Sequence, residues 1–280
     1  MKVGVLGGGR MGAGIAHAFL LAGSDVIIVE RDGAAMTAAV HRIHESLERS
    51  VKRDSTERTL DDLNAALRAG TDAGILADRD LVIEAVPEDR ALKSEALARV
   101  ESVLAADAVL ASNTSSISID ALAASLTRPQ RFLGLHFFNP VPSSSLVEIV
   151  CGSATDPALA DRARDWVETL GKTPIVVRDS PGFASSRLGL VLALEAIRML
   201  DAGVASAEDI DRAMELGYRH PMGPLRTTDV VGLDVRLGIA EELYATLGER
   251  FAPPALLRQM VTEGRLGRKS GQGFYRWDDE

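Results

Sequence analysis

The 280-residue chain predicts an α/β fold: a doubly wound Rossmann-type sheet followed by an all-helical C-terminal domain. Three observations carry that expectation. Short β-branched runs alternate with longer Ala/Leu/Glu segments of helical period, the pattern of successive strand–helix–strand units. A glycine-rich turn joins the first run to the first helical segment. After Asp179-Ser180-Pro181-Gly182 the strand signals stop and helix follows helix. The length favours two domains at about 150 residues each, so the boundary is expected near residue 180. Residues 1–180 would bind a dinucleotide, and 181–280 would form a helical domain for dimerisation and substrate contact.

In chain order, strands are expected over Lys2 to Leu6, Asp25 to Val29, Asp80 to Val86, Ala108 to Ser112, Arg131 to Phe138, Leu146 to Val150 and Thr173 to Arg178. Each is a short apolar run bounded by turn residues, and helical patterns fill most of the intervals, including Met11 to Ala22 and Ala34 to Arg53. Beyond the boundary, helices are expected over Arg187 to Leu200, Ala205 to Leu216, Leu233 to Leu247 and Pro254 to Glu263. The first of these carries Leu188, Leu190, Val191, Leu192, Leu194, Ile197 and Leu200 around most of its circumference. A helix so apolar needs cover on several sides, which predicts a homodimer.

Composition excludes several classes. Hydrophobic residues make up 46% and charged residues 25%, an ordinary globular balance rather than that of a disordered chain. No run approaches the roughly 18 apolar residues of a membrane span, and Met1 to Leu6 reads as a strand rather than a leader, so a cytoplasmic protein without a membrane partner is expected. A net charge of -9 and 4% aromatic residues disfavour nucleic acid. Cys151 is the only cysteine, so no intramolecular disulfide or thiolate metal cluster can form. No metal is expected, and Cys151 reads as a small core hydrophobe.

The turn Gly7-Gly8-Gly9-Arg10-Met11-Gly12 satisfies G-x-G-x-x-G between a strand and a helix, and Glu30 stands 23 residues after Gly7 at the end of the next strand. The first glycine permits the turn, the second lets the backbone approach a pyrophosphate, and the third lets helix and strand pack closely. Glu30 would accept hydrogen bonds from the adenosine ribose and repel a 2'-phosphate, so NAD is expected rather than NADP, despite Arg31 beside it.

A second constellation lies where the carboxyl ends of the strands should meet: Ser112 to Ser116, His136 to Pro140, and Glu148 twelve residues beyond His136. His17, His41 and His44 sit in helical patterns and read as surface residues. His136 interrupts an apolar strand at a mouth already claimed by the dinucleotide, with an acid following that could orient it. Oxidising an alcohol against a nicotinamide requires a base, a role a histidine fills near neutral pH, and Ser115 and Asn139 could hydrogen-bond the reacting oxygen.

These residues resemble the L-3-hydroxyacyl-CoA dehydrogenases, including the short bacterial 3-hydroxybutyryl-CoA dehydrogenases. The likeness rests on Gly7 to Ala16, Glu84 to Glu88, Ser112 to Ser116, Gly134 to Pro142 and Leu146 to Glu148. It continues through Asp179 to Phe183, Pro221 to Pro224 and Lys269 to Tyr275. The resemblance implies that His136 is the base, Glu148 its orienting partner, and Ser115 and Asn139 the groups at the substrate's reacting end. It also implies NAD contacts through Arg10 and Met11 of the turn and through Glu88, Lys93, Asn113 and Lys269. By the same likeness Ser46 and Arg53 dock the acyl carrier, two helical turns apart on one face, with Arg49 and Lys52 adding charge.

The chain departs from the family in two places. Ser186 replaces an asparagine after the Pro-Gly-Phe motif, and Ser144-Ser145 replaces a Met-Lys pair. The shorter side chains point to a bridging water or to a polar group on the substrate. The expected activity is therefore NAD-dependent interconversion of an L-3-hydroxyacyl thioester and its 3-oxo form. The same chemistry on a group held by an acyl carrier protein or on a free hydroxy acid, and a non-catalytic dinucleotide-binding protein, are the alternatives.

Overall fold

A computed structural model describes residues 1–277. The chain forms two compact units, Met1–Ser180 and Pro181–Glu280, the last three residues of the second lying outside the described residues.

The first unit is built on one eight-stranded sheet. Its strands are β1 (Lys2–Leu6), β2 (Asp25–Val29), β3 (Leu67–Gly70), β4 (Leu81–Glu84), β5 (Val109–Ser112), β6 (Phe132–Phe137), β7 (Leu146–Cys151) and β8 (Thr173–Arg178). They run in the order β3-β2-β1-β4-β5-β6-β7-β8. All neighbours are parallel except β6 and β7. The connection 138–145 between those two is shorter than the dozen or so residues a parallel crossover needs, so the chain turns back as a hairpin. Helices α1 (Arg10–Leu21), α2 (Gly33–Lys52), α3 (Leu60–Ala65), α4 (Arg90–Glu101), α5 (Ile119–Ala123) and α6 (Pro157–Thr169) fill the crossovers. β4, β5 and β6 are fully buried, as expected of strands covered on both faces.

The α/β expectation is borne out, with two local differences. The edge strand β3, Leu-Arg-Ala-Gly, carries no β-branched residue and was not expected; pairing with β2 rather than propensity makes it a strand. His17 is no surface residue: it is 2% exposed. Helix α1 is buried from Ile15 to Leu20, so the polar ring falls on a packed face. His41 is exposed and His44 half-buried.

The second unit holds α7 (Ser185–Asp201), α8 (Ala207–Tyr218), α9 (Pro224–Val231), α10 (Leu233–Leu247) and α11 (Ala255–Thr262) around a separate apolar core. Helix α7 buries Leu190, Ala193, Leu194, Ala196 and Ile197, while Leu188, Val191 and Leu192 remain exposed. The segment after α11 is held on α9 by Asp229, whose carboxylate accepts from Phe274 N, Tyr275 N and Trp277 Nε1, each at 2.9 Å. Among the described residues no helix is long and apolar enough to cross a membrane.

Candidate active site

The glycine turn has the shape its sequence requires. Gly7 adopts a φ of +95°, and a Cβ there would stand 2.9 Å from the Ala85 carbonyl. A Cβ on Gly12 would stand 1.8 Å from the Gly7 carbonyl oxygen, so only glycine lets α1 close onto the turn. Around Gly9 a Cβ would meet nothing within 4 Å, which leaves open space above the turn. No side chain caps α1, so the N–H groups of its first turn, Arg10 and Met11 included, are available to an anion. Glu30 is anchored at the rim, accepting from Gly8 N at 2.6 Å and Arg31 N at 3.1 Å. The Arg31 guanidinium turns to Asp32, 3.0 Å away. An open anion site at a helix start, with a carboxylate beside it, fits NAD.

Behind the ends of β4 and β5 lies a polar network that joins Glu88, Lys93 and Ser115, which the resemblance had singled out, to Glu84, which sequence reasoning left without a role. Glu84, fully buried, accepts from Lys93 Nζ at 2.8 Å, Val86 N at 2.6 Å and Ser112 Oγ at 2.5 Å. Burial pushes its carboxyl up against the opposing pull of Lys93 and Ser112. Glu88 accepts from Thr114 Oγ1 at 2.7 Å, Ser115 N at 2.8 Å and Ser116 N at 3.1 Å, and lies 3.3 Å from Lys93 Nζ. Burial raises this carboxyl too, but the Lys93 charge and the hydrogen bonds outweigh it and hold Glu88 below its ordinary value. Lys93 is thus sunk beneath the two carboxylates, and Glu88 is the more open of them. Asn113 Oδ1 accepts from Phe137 N at 2.9 Å, tying the end of β5 to that of β6.

His136 and Glu148 are directly opposed in the β6–β7 register. Because β7 runs antiparallel, a residue early in it reaches the sheet edge where the other strands end. His136 Nδ1 lies 2.7 Å from Glu148 Oε2, with His136 6% exposed and Glu148 fully buried. An ionised carboxylate can only accept, so Nδ1 carries the proton and Nε2 presents its lone pair; the tautomer is inferred from that partner. Phe138 packs on the imidazole with ring centroids 4.5 Å apart. Ser115 is half-buried, its hydroxyl 3.2 Å from Glu88 Oε1, and Asn139 is exposed just past β6.

A cavity of about 600 Å³ opens beside α2, lined in part by His17, Ser46, Arg49, Ser50, Arg53 and Lys172. Arg49 donates to Ser46 Oγ at 3.0 Å, and His17 Nε2 meets Ser50 Oγ at 2.8 Å. Burial holds the His17 imidazole below its ordinary value, with Arg49 and Lys172 adding to that against the Ser46 carbonyl. The wall is therefore basic in an acidic protein.

In the second unit, Ser186 lies half-buried in the first turn of α7, and Lys269 Nζ is paired with Asp234 at 2.5 Å. Cys151 is half-buried at the end of β7.

Residues 2–180 match the 3-hydroxyacyl-CoA dehydrogenase NAD binding domain, and residues 182–277 match the C-terminal domain of the same family. A 3-hydroxybutyryl-CoA dehydrogenase of Mycobacterium tuberculosis is 49% identical over 98% of this chain and 97% of its own. The mitochondrial hydroxyacyl-coenzyme A dehydrogenase of Rattus norvegicus is 39% identical over 98% and 90%. Among solved structures, FadB2 of M. tuberculosis superposes with a TM-score of 0.93 at 48% identity, covering 98% of both chains. The (S)-3-hydroxybutyryl-CoA dehydrogenase of Ralstonia eutropha gives 0.94 at 39% identity, covering 99% of both.

Proposed function

The chain belongs to the 3-hydroxyacyl-CoA dehydrogenase family of NAD-dependent oxidoreductases, and on that premise we propose that it interconverts an L-3-hydroxyacyl-CoA and its 3-oxo form with His136 as the base. The observation that carries the assignment is the buried 2.7 Å pair of His136 and Glu148. NAD, when bound, supplies the hydride acceptor. The protein moves the proton: His136 Nε2 takes it from the 3-hydroxyl, and Glu148 holds the ring in the required tautomer and stabilises the imidazolium. Ser115 and Asn139 hydrogen-bond the oxygen as it passes from hydroxyl to carbonyl.

In this reading Glu88, held by Lys93, together with Asn113 and Lys269, serves the nicotinamide half, while the Gly7–Gly12 turn and Glu30 serve the other. Ser46, Arg49 and Arg53 receive the phosphates of the carrier in the basic cavity beside α2. Ser186 touches the substrate. The exposed Leu188, Val191 and Leu192, one turn apart on α7, are covered by a second copy of the chain.

The test measures NADH formation with 3-hydroxybutyryl-CoA, the same acyl group on a carrier protein, and the free acid. Activity on the CoA thioester is expected, and activity confined to the free acid would overturn the reading. His136→Ala should lower kcat by roughly a hundredfold or more with NAD affinity nearly unchanged. An unchanged kcat would remove His136 from the mechanism.

A further inference from the structure

Lys172 stands between α6 and β8 and is 9% exposed. Its root is fixed: Gly171 follows α6 at a φ of +68°, and Lys172 N donates to Val167 O at 3.2 Å. Its Nζ donates to Val141 O at 2.7 Å and to Ser144 O at 2.5 Å. No carboxylate pairs with the ammonium among the described residues, and burial lowers its pKa from the ordinary lysine value. A methionine of similar length would pack there without burying a charge. What the ammonium alone supplies is a tie to two carbonyls of the connection 138–145.

That connection has few other anchors. Ser143 N and Ser144 N donate to Pro140 O at 3.2 and 3.0 Å, bonds internal to the turn. Among the described residues, no donor besides Lys172 Nζ reaches the Val141 or the Ser144 carbonyl. Val141, 2% exposed, packs on α1 at Gly14, where a Cβ would stand 2.9 Å from the Val141 Cβ. The turn is therefore clamped by α1 and by Lys172, with Asn139 exposed at its start. Pro140, Pro142, Ser143 and Lys172 also line the cavity beside α2.

We propose that Lys172 is a positioning residue for the dehydrogenase reaction: by holding the Val141 and Ser144 carbonyls it fixes the turn that sets Asn139 against the 3-oxygen of the substrate. The inference rests on the assignment of Asn139 to that oxygen made above. Lys172 itself touches no reacting atom. It acts because a hydrogen bond to an oxygen that changes charge depends steeply on placement, so a turn free to shift by about 1 Å costs rate rather than affinity.

The experiment measures kcat and KM with 3-hydroxybutyryl-CoA and NAD for Lys172→Met, Lys172→Arg, Asn139→Ala and the double variant of Lys172→Met with Asn139→Ala. Lys172→Met should lower kcat about ten- to a hundredfold while either KM moves by less than about threefold, and Lys172→Arg should recover part of the loss. In the double variant kcat should stay within about threefold of the lower single variant, because a residue that acts through Asn139 has nothing left to position. Lys172→Gln, shorter but still polar, should show the same pattern and carries the test if Lys172→Met does not fold. An unchanged kcat beside a raised KM for the thioester would make Lys172 a contact of the carrier and overturn the proposal. Losses that multiply in the double variant would overturn it too. Full kcat in Asn139→Ala would instead remove the assignment of Asn139, and the inference with it, while the dehydrogenase assignment stands.

Discussion

His136 stood out in the sequence because a polar ring interrupted an apolar strand, and Glu148 because it was an acid following twelve residues on that could orient the ring. The carboxylate matters through the tautomer it imposes. Glu148→Gln keeps the shape but offers an amide in place of an acceptor-only group, so kcat should fall by roughly 10²- to 10⁴-fold with thermal stability little changed. His17 was misread because its neighbours are small: Ala16 and Ala18 give no hint that the helix is buried on that face. Its folded pKa lies below 6.5, so as pH falls the unfolded chain binds the proton first. The stability it supports is full above pH 6.5 and is lost below it, levelling off beneath the folded value. Below pH 6.5 the melting temperature should accordingly fall less with falling pH for His17→Gln than for the wild-type protein. Glu84 and Asp229 carried no visible signal, since nothing local distinguishes a carboxylate that will be buried and saturated with donors from one that will face water.

At the level of elements, the glycine turn was fully legible because each glycine answers a local steric demand. Gly12→Ala would place a methyl 1.8 Å from the Gly7 carbonyl, so the turn must open. NAD affinity, read by fluorescence quenching or calorimetry, should fall by about tenfold or more, with a melting temperature lower by several degrees. The direction of β7 was less legible. The alternation of strands and helices suggests parallel pairing throughout, and only the short 138–145 connection reverses it. That reversal puts Glu148, rather than a residue at the far end of its strand, beside His136. β3 escaped detection because an edge strand of four residues owes its conformation to β2 beside it.

For the molecule as a whole, the excess of apolar residues on α7 already implied more cover than one chain offers. The structure resolves that excess into a buried face and the exposed trio Leu188, Val191 and Leu192. If the proposed dimer forms through this trio, the wild-type protein should sediment as a dimer and Leu188→Asp combined with Val191→Asp as a monomer in sedimentation velocity; a dimer unmoved by both charges would place the interface elsewhere. In the second unit, Asp229→Ala would strip the acceptor from Phe274, Tyr275 and Trp277 at once. A loss of about 3 kcal/mol, seen as a lower denaturant midpoint, is expected from three donors left without a partner.

The sequence by itself determined the two-part architecture, the dinucleotide turn, the acid at its ribose end and the candidate base. Each of these is written in short-range terms: a period of two or 3.6, a glycine where no Cβ fits, a charge at a strand end. Only the tertiary structure decided which carboxylates are buried, that Lys93 lies beneath Glu88, and that His17 is enclosed. Burial and pairing depend on residues far apart in the chain, and no local pattern records which of them will meet.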